Sequence, residues 1–551
     1  MKIKKISIKN LSSHPYFHCL KKGKEKIQVN SISNHASYVN KKTIFVAIKG
    51  YKTDGHNYIG QAIENGTRVI ICEKGCIQNT KFLEHNDVWY LSVDNTRKAF
   101  SLLASIIYGC PADQLTTIGI TGTKGKSTVA NICYQLLNKA YTNCICLFST
   151  SGNYIGKRFY KAVRTTPEAK QIQQMLHTGV KKGCSHGIIE VSSHALSLHR
   201  VSDINWDYAV FTSFSREHLN FHKDMESYFQ AKMKIFHDLG KGSKPFQLAV
   251  INGDDKTSDR IKKLCCEYKN IKVLTYGLSA HNDIYPENIK MSIHGMNFVL
   301  NVKNKIKQTI SEKIKIDKNT NNNPLKRQII QKNLNKTLTV LDSNPCINIR
   351  SKILGRINAL NMTAAILIAL LEGVNPKTIE SCMNRLAGIK GRFEIVQKQP
   401  VLIIVDYAHS PDSLEKILRE SRTLLNNSCL ILVFGCAGER DRGNRPLMGE
   451  IAARLADYSI ITTDDSYQEE PVIIMNEIKA GFETGIKNGN SGHFILIEDR
   501  KAAILHGLQK ARTNDILLIA GKGHEDVQQQ KNGPVPFNDR KVVLELLKNL
   551  K

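Results

Sequence analysis

Residues 116–140 read TTIGITGTKGKSTVANICYQLLNKA, and this stretch decides the fold of the central part of the chain. An apolar strand runs into a glycine-rich turn, and a helical segment follows the turn directly. Such a unit aims backbone N–H groups and the N-terminus of the helix at the oxygens of a bound phosphate. The stretch therefore predicts a phosphate-binding loop on a parallel α/β sheet.

Two side chains of this loop have the chemistry that a nucleotide and its metal ion need. Lys126 supplies a positive charge for the β- and γ-phosphates, and Ser127 supplies a hydroxyl for Mg²⁺. The spacing is shorter than the common GxxxxGK[ST] pattern, but the flanking strand and helix favour ATP and Mg²⁺ as ligands. The predicted ATP-binding loop consists of Gly122, Thr123, Lys124, Gly125, Lys126, Ser127 and Thr128.

Strand and helix patterns divide the chain into three α/β units. Short apolar strands such as residues 43–48 alternate with helical segments in the first hundred residues, and a third alternation begins near Ile353. The central unit is typical of a doubly wound parallel sheet, and the last is typical of a Rossmann-like domain. The expected domains are 1–110, 111–350 and 351–551.

Two further side chains follow strands of the central unit. Glu190 lies in the strand predicted at 187–191, and His218 follows the strand predicted at 208–212. Each residue type taken alone is more often structural. The carboxyl ends of parallel strands meet at one edge of a sheet, however, and phosphate chemistry needs metal ligands there. We therefore predict that Glu190 and His218 serve a metal ion.

The charge of the chain raises a different hypothesis. The formal net charge is +29, which is compatible with binding to nucleic acid or to an anionic substrate. Residues 302–336 are the densest basic stretch, but they contain no aromatic residue to stack on bases. We interpret them as a solvated, partly disordered insertion and expect no nucleic-acid partner. No apolar run approaches the roughly 20 residues of a membrane helix, and no signal peptide is visible, so the expected location is the cytoplasm.

Motifs over nearly the whole length resemble the Mur ligase family. They are most similar to those of the members that add a diamino acid to UDP-N-acetylmuramoyl-L-alanyl-D-glutamate. The matching stretches are GTKGKST (122–128), TTPE (165–168), EVSSHAL (190–196), FTSFSREHLNFHKDMESYFQAK (211–232), GRINALNMTAA (355–365), GRFE (391–394), DYAHSPDSLE (406–415), VFGCAGERDRGNRPLMGEIA (434–452) and AGKGHE (520–525).

The resemblance implies an ATP-dependent amide ligase that works through an acyl phosphate. It implies a small UDP-sugar domain, a central P-loop ATPase domain and a Rossmann-like domain that closes over ATP. Expected substrates are a UDP-linked muramoyl peptide and an amino acid, and the expected state is a monomer with no membrane partner.

The resemblance also assigns roles to residues. The implied catalytic residues are Lys126, Glu190, His218 and Lys232, and the implied metal ligands are Ser127, Glu190, His218 and Lys232 as a carbamate. Asn361, Asp406 and His409 match positions that hold the nucleotide from the other side. The implied substrate-binding residues are Thr165, Thr166, Ser192, Arg200, Arg440, Asp464, Asp465, Tyr467, Gly521 and Glu525.

Several substrate positions depart from the family pattern. Residues 35–39 read HASYV where the family has DSRxV, which puts Ala36 and Ser37 at UDP-contacting positions, and Leu198 replaces a glutamine. Tyr467 replaces the arginine of the DNPR motif that marks diaminopimelate enzymes. With Asp464, Asp465 and Glu525 nearby, we expect an anionic pocket that favours lysine or ornithine.

Three hypotheses follow from these departures. The first is unchanged ligase function in a chain that has drifted. The second is a ligase that joins a different acid, a different amine or both. The third, more remote, is a non-catalytic, nucleic-acid-associated protein that keeps the P-loop fold. Intact Lys126, Glu190, His218 and Lys232 argue against the third, since a binding module has no use for a lysine carbamate.

Overall fold

The computed structural model describes residues 3–23, 27–50, 53–76, 85–141, 144–319, 324–386, 388, 390–425 and 428–550. The first unit contains β1 (Ile6–Ser7), α1 (Ile8–Ser12), β2 (His18–Lys21), β3 (Gln28–Val29), β4 (Ser31–Ser33), β5 (Thr43–Val46), α2 (Ile59–Glu64), β6 (Val69–Glu73), β7 (Trp89–Val93) and α3 (Thr96–Ile107). Its five-stranded sheet has the order β2-β7-β6-β5-β4, with β2 antiparallel and the other neighbours parallel. The small α/β unit expected from the sequence is confirmed.

The central unit is built on one large sheet. Its elements are β8 (Thr116–Thr121), α4 (Lys126–Ala140), β9 (Ile145–Ser149), β10 (Gly152–Ile155), β11 (Arg158–Tyr160), α5 (Ala169–Lys181), β12 (His186–Glu190), α6 (Ser193–Ser197), β13 (Tyr208–Phe211), α7 (Leu219–His222), α8 (Met225–Lys241), β14 (Gln247–Asn252), α9 (Ser258–Cys266), β15 (Ile271–Tyr276), β16 (Ile284–Ser292), β17 (Gly295–Val302), α10 (Asn304–Asn319), α11 (Pro324–Ser343), β18 (Cys346–Ser351), α12 (Arg356–Leu371) and α13 (Pro376–Arg385).

The order of the central sheet is β11-β10-β9-β12-β8-β13-β14-β15-β16-β17-β18. The strands from β9 to β16 in this order run parallel, and antiparallel strands close both edges. Adjacent residues of β12 face opposite cores, since Ile188 packs with α4 and Ile189 packs with α5 and α8. Helices thus cover both faces, as the doubly wound prediction required.

The lysine-rich insertion differs from its prediction. Its described residues form α10 and α11 between the paired strands β17 and β18, and they are not a disordered loop. Ile306, Ile310 and Leu334 are buried in the central core, together with the isoleucine and leucine side chains that recur on one face of each helix. The high lysine content concealed this apolar face, which supplies the burial that a disordered segment lacks.

The third unit contains β19 (Glu394–Gln397), β20 (Leu402–Asp406), α14 (Pro411–Arg422), β21 (Leu430–Phe434), α15 (Asn444–Leu455), β22 (Tyr458–Ile461), α16 (Pro471–Lys487), β23 (His493–Leu496), α17 (Arg500–Lys510), β24 (Ile516–Ala520), β25 (Val527–Gln530), β26 (Gly533–Pro536) and α18 (Asp539–Asn549). The order of its six-stranded sheet is β19-β20-β24-β21-β22-β23, parallel except at β19. This is the expected Rossmann-like arrangement.

Helices α12 and α13 pack against α4 and α11 rather than against the sheet of the third unit. We therefore propose a domain boundary after α13 instead of near residue 351. Within the part of the chain that the structure describes, no helix is long and apolar enough to cross a membrane.

Candidate active site

The phosphate loop lies between β8 and α4, and its shape depends on two glycines. Gly122 and Gly125 have φ angles of 143° and 88°, in the region that favours glycine. A Cβ on Gly125 would lie 2.6 Å from Oδ1 of Asn361, so this side chain covers the loop closely. The N-terminus of the 15-residue helix α4 opens at the loop. The cradle therefore fits a phosphate, as predicted.

Lys126 is folded back onto the loop. Its Nζ donates hydrogen bonds to the backbone oxygens of Gly122 and Thr123, at 3.0 and 2.8 Å. Desolvation lowers the pKa of Lys126 and outweighs the negative charges of Glu190 and Glu217, which raise it. Both carbonyl contacts are replaceable, so this ammonium is placed to turn toward an anion in the cradle.

Glu190 and Ser127 form the oxygen-rich part of the site. Glu190 is 2% exposed and ends β12. Its Oε1 accepts from Ser127 Oγ at 2.8 Å, and its Oε2 accepts from Ser149 Oγ at 2.8 Å and from Thr150 N at 2.9 Å. A carboxylate beside hydroxyls is the ligand set that Mg²⁺ prefers.

Metal binding at this point depends on more than acidic side chains. Among the described residues, no group of three or more His, Cys, Asp or Glu side chains is arranged to hold a metal ion. A Mg²⁺ ion would therefore take Ser127, Glu190 and oxygens of the bound substrates, in keeping with the usual sharing of Mg²⁺ between protein and phosphates.

Three predicted substrate residues lie beside Glu190. Thr166 Oγ1 donates to the backbone oxygen of Glu190 at 2.7 Å and accepts from Ser192 N at 3.1 Å. Thr165 Oγ1 accepts from Thr150 Oγ1 at 3.0 Å. Thr165, Thr166 and Ser192 therefore line the same sheet edge as the phosphate loop, where α6 begins.

Lys232 on α8 is a buried amine, 1% exposed. Its Nζ donates to Gly122 O at 2.7 Å and lies 4.4 Å from the ring centroid of Tyr228. Desolvation, followed by the charge of Lys126, lowers the pKa of Lys232 well below its usual value. These surroundings favour the uncharged amine, which is the form that reacts with CO₂.

His218 caps α7 with a left-handed φ of 57°. Its ring packs edge-on against His194, with centroids 4.9 Å apart. Desolvation lowers the pKa of His218 to about 3, although the side chain is 41% exposed. A lowered pKa favours the neutral imidazole, which is the form that binds metal.

Glu217 is a site residue that the sequence reasoning missed. Its Oε1 accepts from Lys124 Nζ at 2.6 Å and lies 3.5 Å from His409 Nε2. Burial raises the pKa of Glu217, but Lys124 and His409 outweigh it and hold the pKa well below its usual range. The carboxylate thus links the phosphate loop to the third unit. The position of Glu217 next to His218 in the motif SREHLN could have indicated from the sequence that it belongs to the site.

The third unit contributes the other wall of the cleft. Asp406 ends β20, and its Oδ2 accepts from Phe393 N at 2.6 Å, while burial raises its pKa. The Arg392 guanidinium lies 4.8 Å from the ring centroid of Tyr407. Tyr407 directly follows Asp406 in the chain and precedes His409 by two residues. Arg392 belongs to the GRFE motif but had no predicted role.

The predicted amine pocket is less anionic than its sequence implied. Lys522 Nζ is buried and lies 2.7 Å from Asp465, 2.9 Å from Glu525 and 3.8 Å from Asp464. The three carboxylates therefore share one ammonium, which offsets part of the negative charge that was expected from the sequence. Lys522 sits in the AGKGHE motif, and only the fold reveals that it points at Asp464 and Asp465.

The remaining pocket residues frame this cluster. Gly521 has a φ of 121°, and a Cβ there would lie 2.3 Å from Oδ2 of Asp464. Tyr467 is half-buried with a left-handed φ of 51°. Arg440 is exposed, and its charge is near enough to His194 to lower the pKa of that ring, after desolvation.

Three of the departures from the family pattern meet in one place. A cleft of about 540 Å³ between the first and central units is lined by Ala36, Ser37, Leu198 and Arg200. Arg200 Nη2 lies 3.1 Å from Oε1 of Glu168. Ala36, Ser37 and Leu198 thus share one cleft outside the phosphate loop, whereas the fourth departure, Tyr467, lies in the third unit.

Comparisons with known proteins agree with this geometry. The models of three domains match: "Mur ligase family, catalytic domain" at 28–108, "Mur ligase middle domain" at 120–310 and "Mur ligase, glutamate ligase domain" at 391–523. The UDP-N-acetylmuramoyl-L-alanyl-D-glutamate–2,6-diaminopimelate ligase of Clostridium tetani is 34% identical over 531 residues, which cover 96% of each chain.

Solved structures give the same result. A structure of a UDP-N-acetylmuramoyl-L-alanyl-D-glutamate–2,6-diaminopimelate ligase aligns over 99% of both chains, with 26% identity and a TM-score of 0.65. The MurF ligase of Thermotoga maritima in complex with ADP covers 95% of this chain and 97% of its own, at 17% identity and a TM-score of 0.55. At that identity, the second likeness shows the fold alone.

Proposed function

Since the chain belongs to the Mur ligase family, we propose that it is a MurE-type ligase that joins a diamino acid to the glutamate carboxyl of UDP-N-acetylmuramoyl-L-alanyl-D-glutamate. The observation that carries the proposal is the convergence of the phosphate loop, Glu190 and the buried amine of Lys232 at one sheet edge. A protein that merely binds ligands needs none of these groups in contact.

The residues of the loop act on ATP. The amide groups at the start of α4 and the ammonium of Lys126 hold the phosphates and balance the charge that develops during transfer to the substrate carboxylate. Ser127 and Glu190 would hold Mg²⁺, which would supply positive charge to neutralise the phosphates. The resulting acyl phosphate is attacked by the amine, so that an amide forms and inorganic phosphate leaves.

Lys232 supplies a further anionic ligand after carbamylation. Its neutral amine adds to CO₂, forming an N–C bond and releasing one proton, and the lysine becomes an anion. The surroundings favour this exchange because Lys126 repels an ammonium at the same place and attracts a carbamate. The loss of positive charge at Gly122 O also frees the loop for phosphate.

The amine would bind beside β22 and β24. Glu525 and Asp465 face its distal ammonium, and Lys522 fixes their orientation. Tyr467 offers no guanidinium to a distal carboxylate, which favours lysine or ornithine over diaminopimelate. This preference is the second candidate activity, and the Tyr467 side chain is the observation that favours it over the use of diaminopimelate.

The test is phosphate release by purified protein with ATP, Mg²⁺ and UDP-muramoyl-dipeptide, with each diamino acid in turn. We expect release that depends on both the dipeptide and a diamino acid. ATP turnover that is indifferent to the dipeptide would exclude the proposed acid substrate. Turnover that needs a different acid would favour a repurposed ligase.

A further inference from the structure

The helices α10 and α11 pack against each other as a helical hairpin, and this hairpin contacts α12, which carries Asn361. Antiparallel neighbours such as β17 and β18 are usually joined by a few residues, whereas α10 and α11 stand between them here. Both helices pack against α12, and α11 also packs against α13. The hairpin is therefore an added layer of the central core.

A charged side chain of the hairpin enters that core. Lys313 on α10 is 6% exposed, and its ammonium contacts the carboxylate of Glu372, the residue that caps the C-terminus of α12. It also donates to Leu371 O at 3.1 Å and to Tyr208 Oη at 2.7 Å. The second carboxylate oxygen of Glu372 lies 3.0 Å from His186 Nε2.

The charge on Lys313 offsets the burial of Glu372, whose carboxylate also accepts a hydrogen bond from Tyr208 Oη. Glu372 is fully buried, and burial raises the pKa of its carboxyl group, but Lys313 and His186 outweigh it and lower the pKa to about 2. A buried carboxylate that lost its partner would be strongly destabilising, and α12 would have to shift to bring it to water.

Glu372 is also where the two helices of the phosphate site meet. Helix α4 starts at Lys126, and Tyr141, just beyond its end, donates to the backbone oxygen of Glu372. Helix α12 packs along α4 and carries Asn361 over Gly125. About three turns of α12, roughly 16 Å, separate Asn361 from Glu372. A movement at Glu372 is transmitted along a rigid helix to the loop.

We propose that Lys313 is a positioning residue for ATP: by neutralising Glu372 it fixes α12 against α4 and so sets Asn361 over the phosphate loop. This role rests on the proposed ATP-dependent function. It gives the lysine-rich hairpin a use inside the enzyme, independent of its exposed basic face.

The test compares Lys313→Met with Lys313→Arg, Glu372→Gln and the exposed control Lys315→Met. KM for ATP, KM for the amine and kcat are measured with the full chain, together with Tm and direct binding of ADP. We expect Lys313→Met and Glu372→Gln to raise KM for ATP roughly 2- to 30-fold, with KM for the amine unchanged. Lys313→Arg should restore most of the affinity, and Lys315→Met should match the wild type.

The outcomes distinguish a role in positioning ATP from a contribution to folding stability alone. A lower Tm with unchanged KM for ATP and unchanged ADP binding in Lys313→Met and Glu372→Gln would overturn the positioning role. If Lys313→Met does not fold, the KM for ATP and the ADP binding of Glu372→Gln test the positioning role. Failure of the wild-type chain to bind ADP would contradict the proposed function itself, which distinguishes the two failures.

Discussion

At the residue scale, Lys126 is the side chain on which nucleotide chemistry depends most directly. Lys126→Ala removes the ammonium next to the phosphates and takes no volume from the core. We expect phosphate release to fall about 10²- to 10³-fold, the range for loss of one group that stabilises developing charge. The matched control is Lys139→Ala, an exposed position on the same helix. Equal activity of the two variants would exclude the phosphate role.

Lys232 gives a second prediction with a defined pH dependence. Desolvation and the charge of Lys126 lower the pKa of Lys232 well below its usual value, which favours the neutral amine that carbamylation requires. As pH falls through that lowered pKa, the amine protonates, the carbamate is lost and activity falls. Added bicarbonate should raise activity on the acid side.

Removal of Lys232 checks the same role chemically. Lys232→Ala should be nearly inactive, and formate or acetate should restore part of the rate by placing a carboxylate in the vacated space. Lys241→Ala, exposed at the end of the same helix, should retain full activity. A wild-type rate in Lys232→Ala would refute the carbamate.

Tyr467 decides the amine prediction. Tyr467→Arg adds a guanidinium beside Asp464 and should raise kcat/KM for meso-diaminopimelate relative to lysine by about 10²-fold, which corresponds to roughly 2–3 kcal/mol. The φ of 51° at position 467 is as unfavourable for tyrosine as for arginine, so the substitution adds little backbone strain. If the native enzyme uses diaminopimelate at least as well as lysine, the specificity argument fails.

At the element scale, the phosphate turn tests how closely α12 approaches the loop. A Cβ on Gly125 would collide with Asn361 Oδ1, whereas Gly183 has a similar positive φ of 77° and open space around it. Gly125→Ala should therefore raise KM for ATP by at least tenfold, while Gly183→Ala should share only the backbone strain, about 1–2 kcal/mol of stability. Equal KM values in the two variants would show that the contact with Asn361 has no role in binding.

Elements defined by local patterns were predictable from the sequence. The strand–loop–helix unit at Thr116–Ala140 and the apolar strands that end at Glu190 and Asp406 lie where the pattern indicated. The hairpin of α10 and α11 was not predictable, because its apolar face is diluted by lysines and its partner is the distant helix α12. Lys522 and Glu217 were missed for the same reason, since their partners lie far away in sequence.

At the scale of the whole molecule, the charge of +29 makes a prediction of its own. Two lysines of the basic hairpin contact acidic side chains of the fold: Lys313 is buried against Glu372, and Lys305 Nζ lies 3.2 Å from Asp283. We expect only weak, sequence-blind retention of DNA or RNA, which disappears at moderate salt. Tight or sequence-dependent binding above 0.2 M salt would revive the nucleic-acid hypothesis.

The three units meet around one cleft, which is what an acyl-phosphate mechanism requires. Glu217 joins the phosphate loop to His409, and Arg216 Nη2 lies 3.3 Å from Oδ2 of Asp441 across the same boundary. Such exposed or partly exposed contacts are weak individually. They can therefore break and re-form as substrates enter.

The central claim is that the substrate carboxylate is phosphorylated before the amine attacks. The most direct measurement uses UDP-muramoyl-dipeptide labelled with ¹⁸O in its glutamate side-chain carboxylate, together with ATP, Mg²⁺ and the preferred diamino acid. The account predicts that each phosphate released carries one ¹⁸O atom and that the amide keeps the other. Phosphate without label, released while the amide forms, would contradict the account.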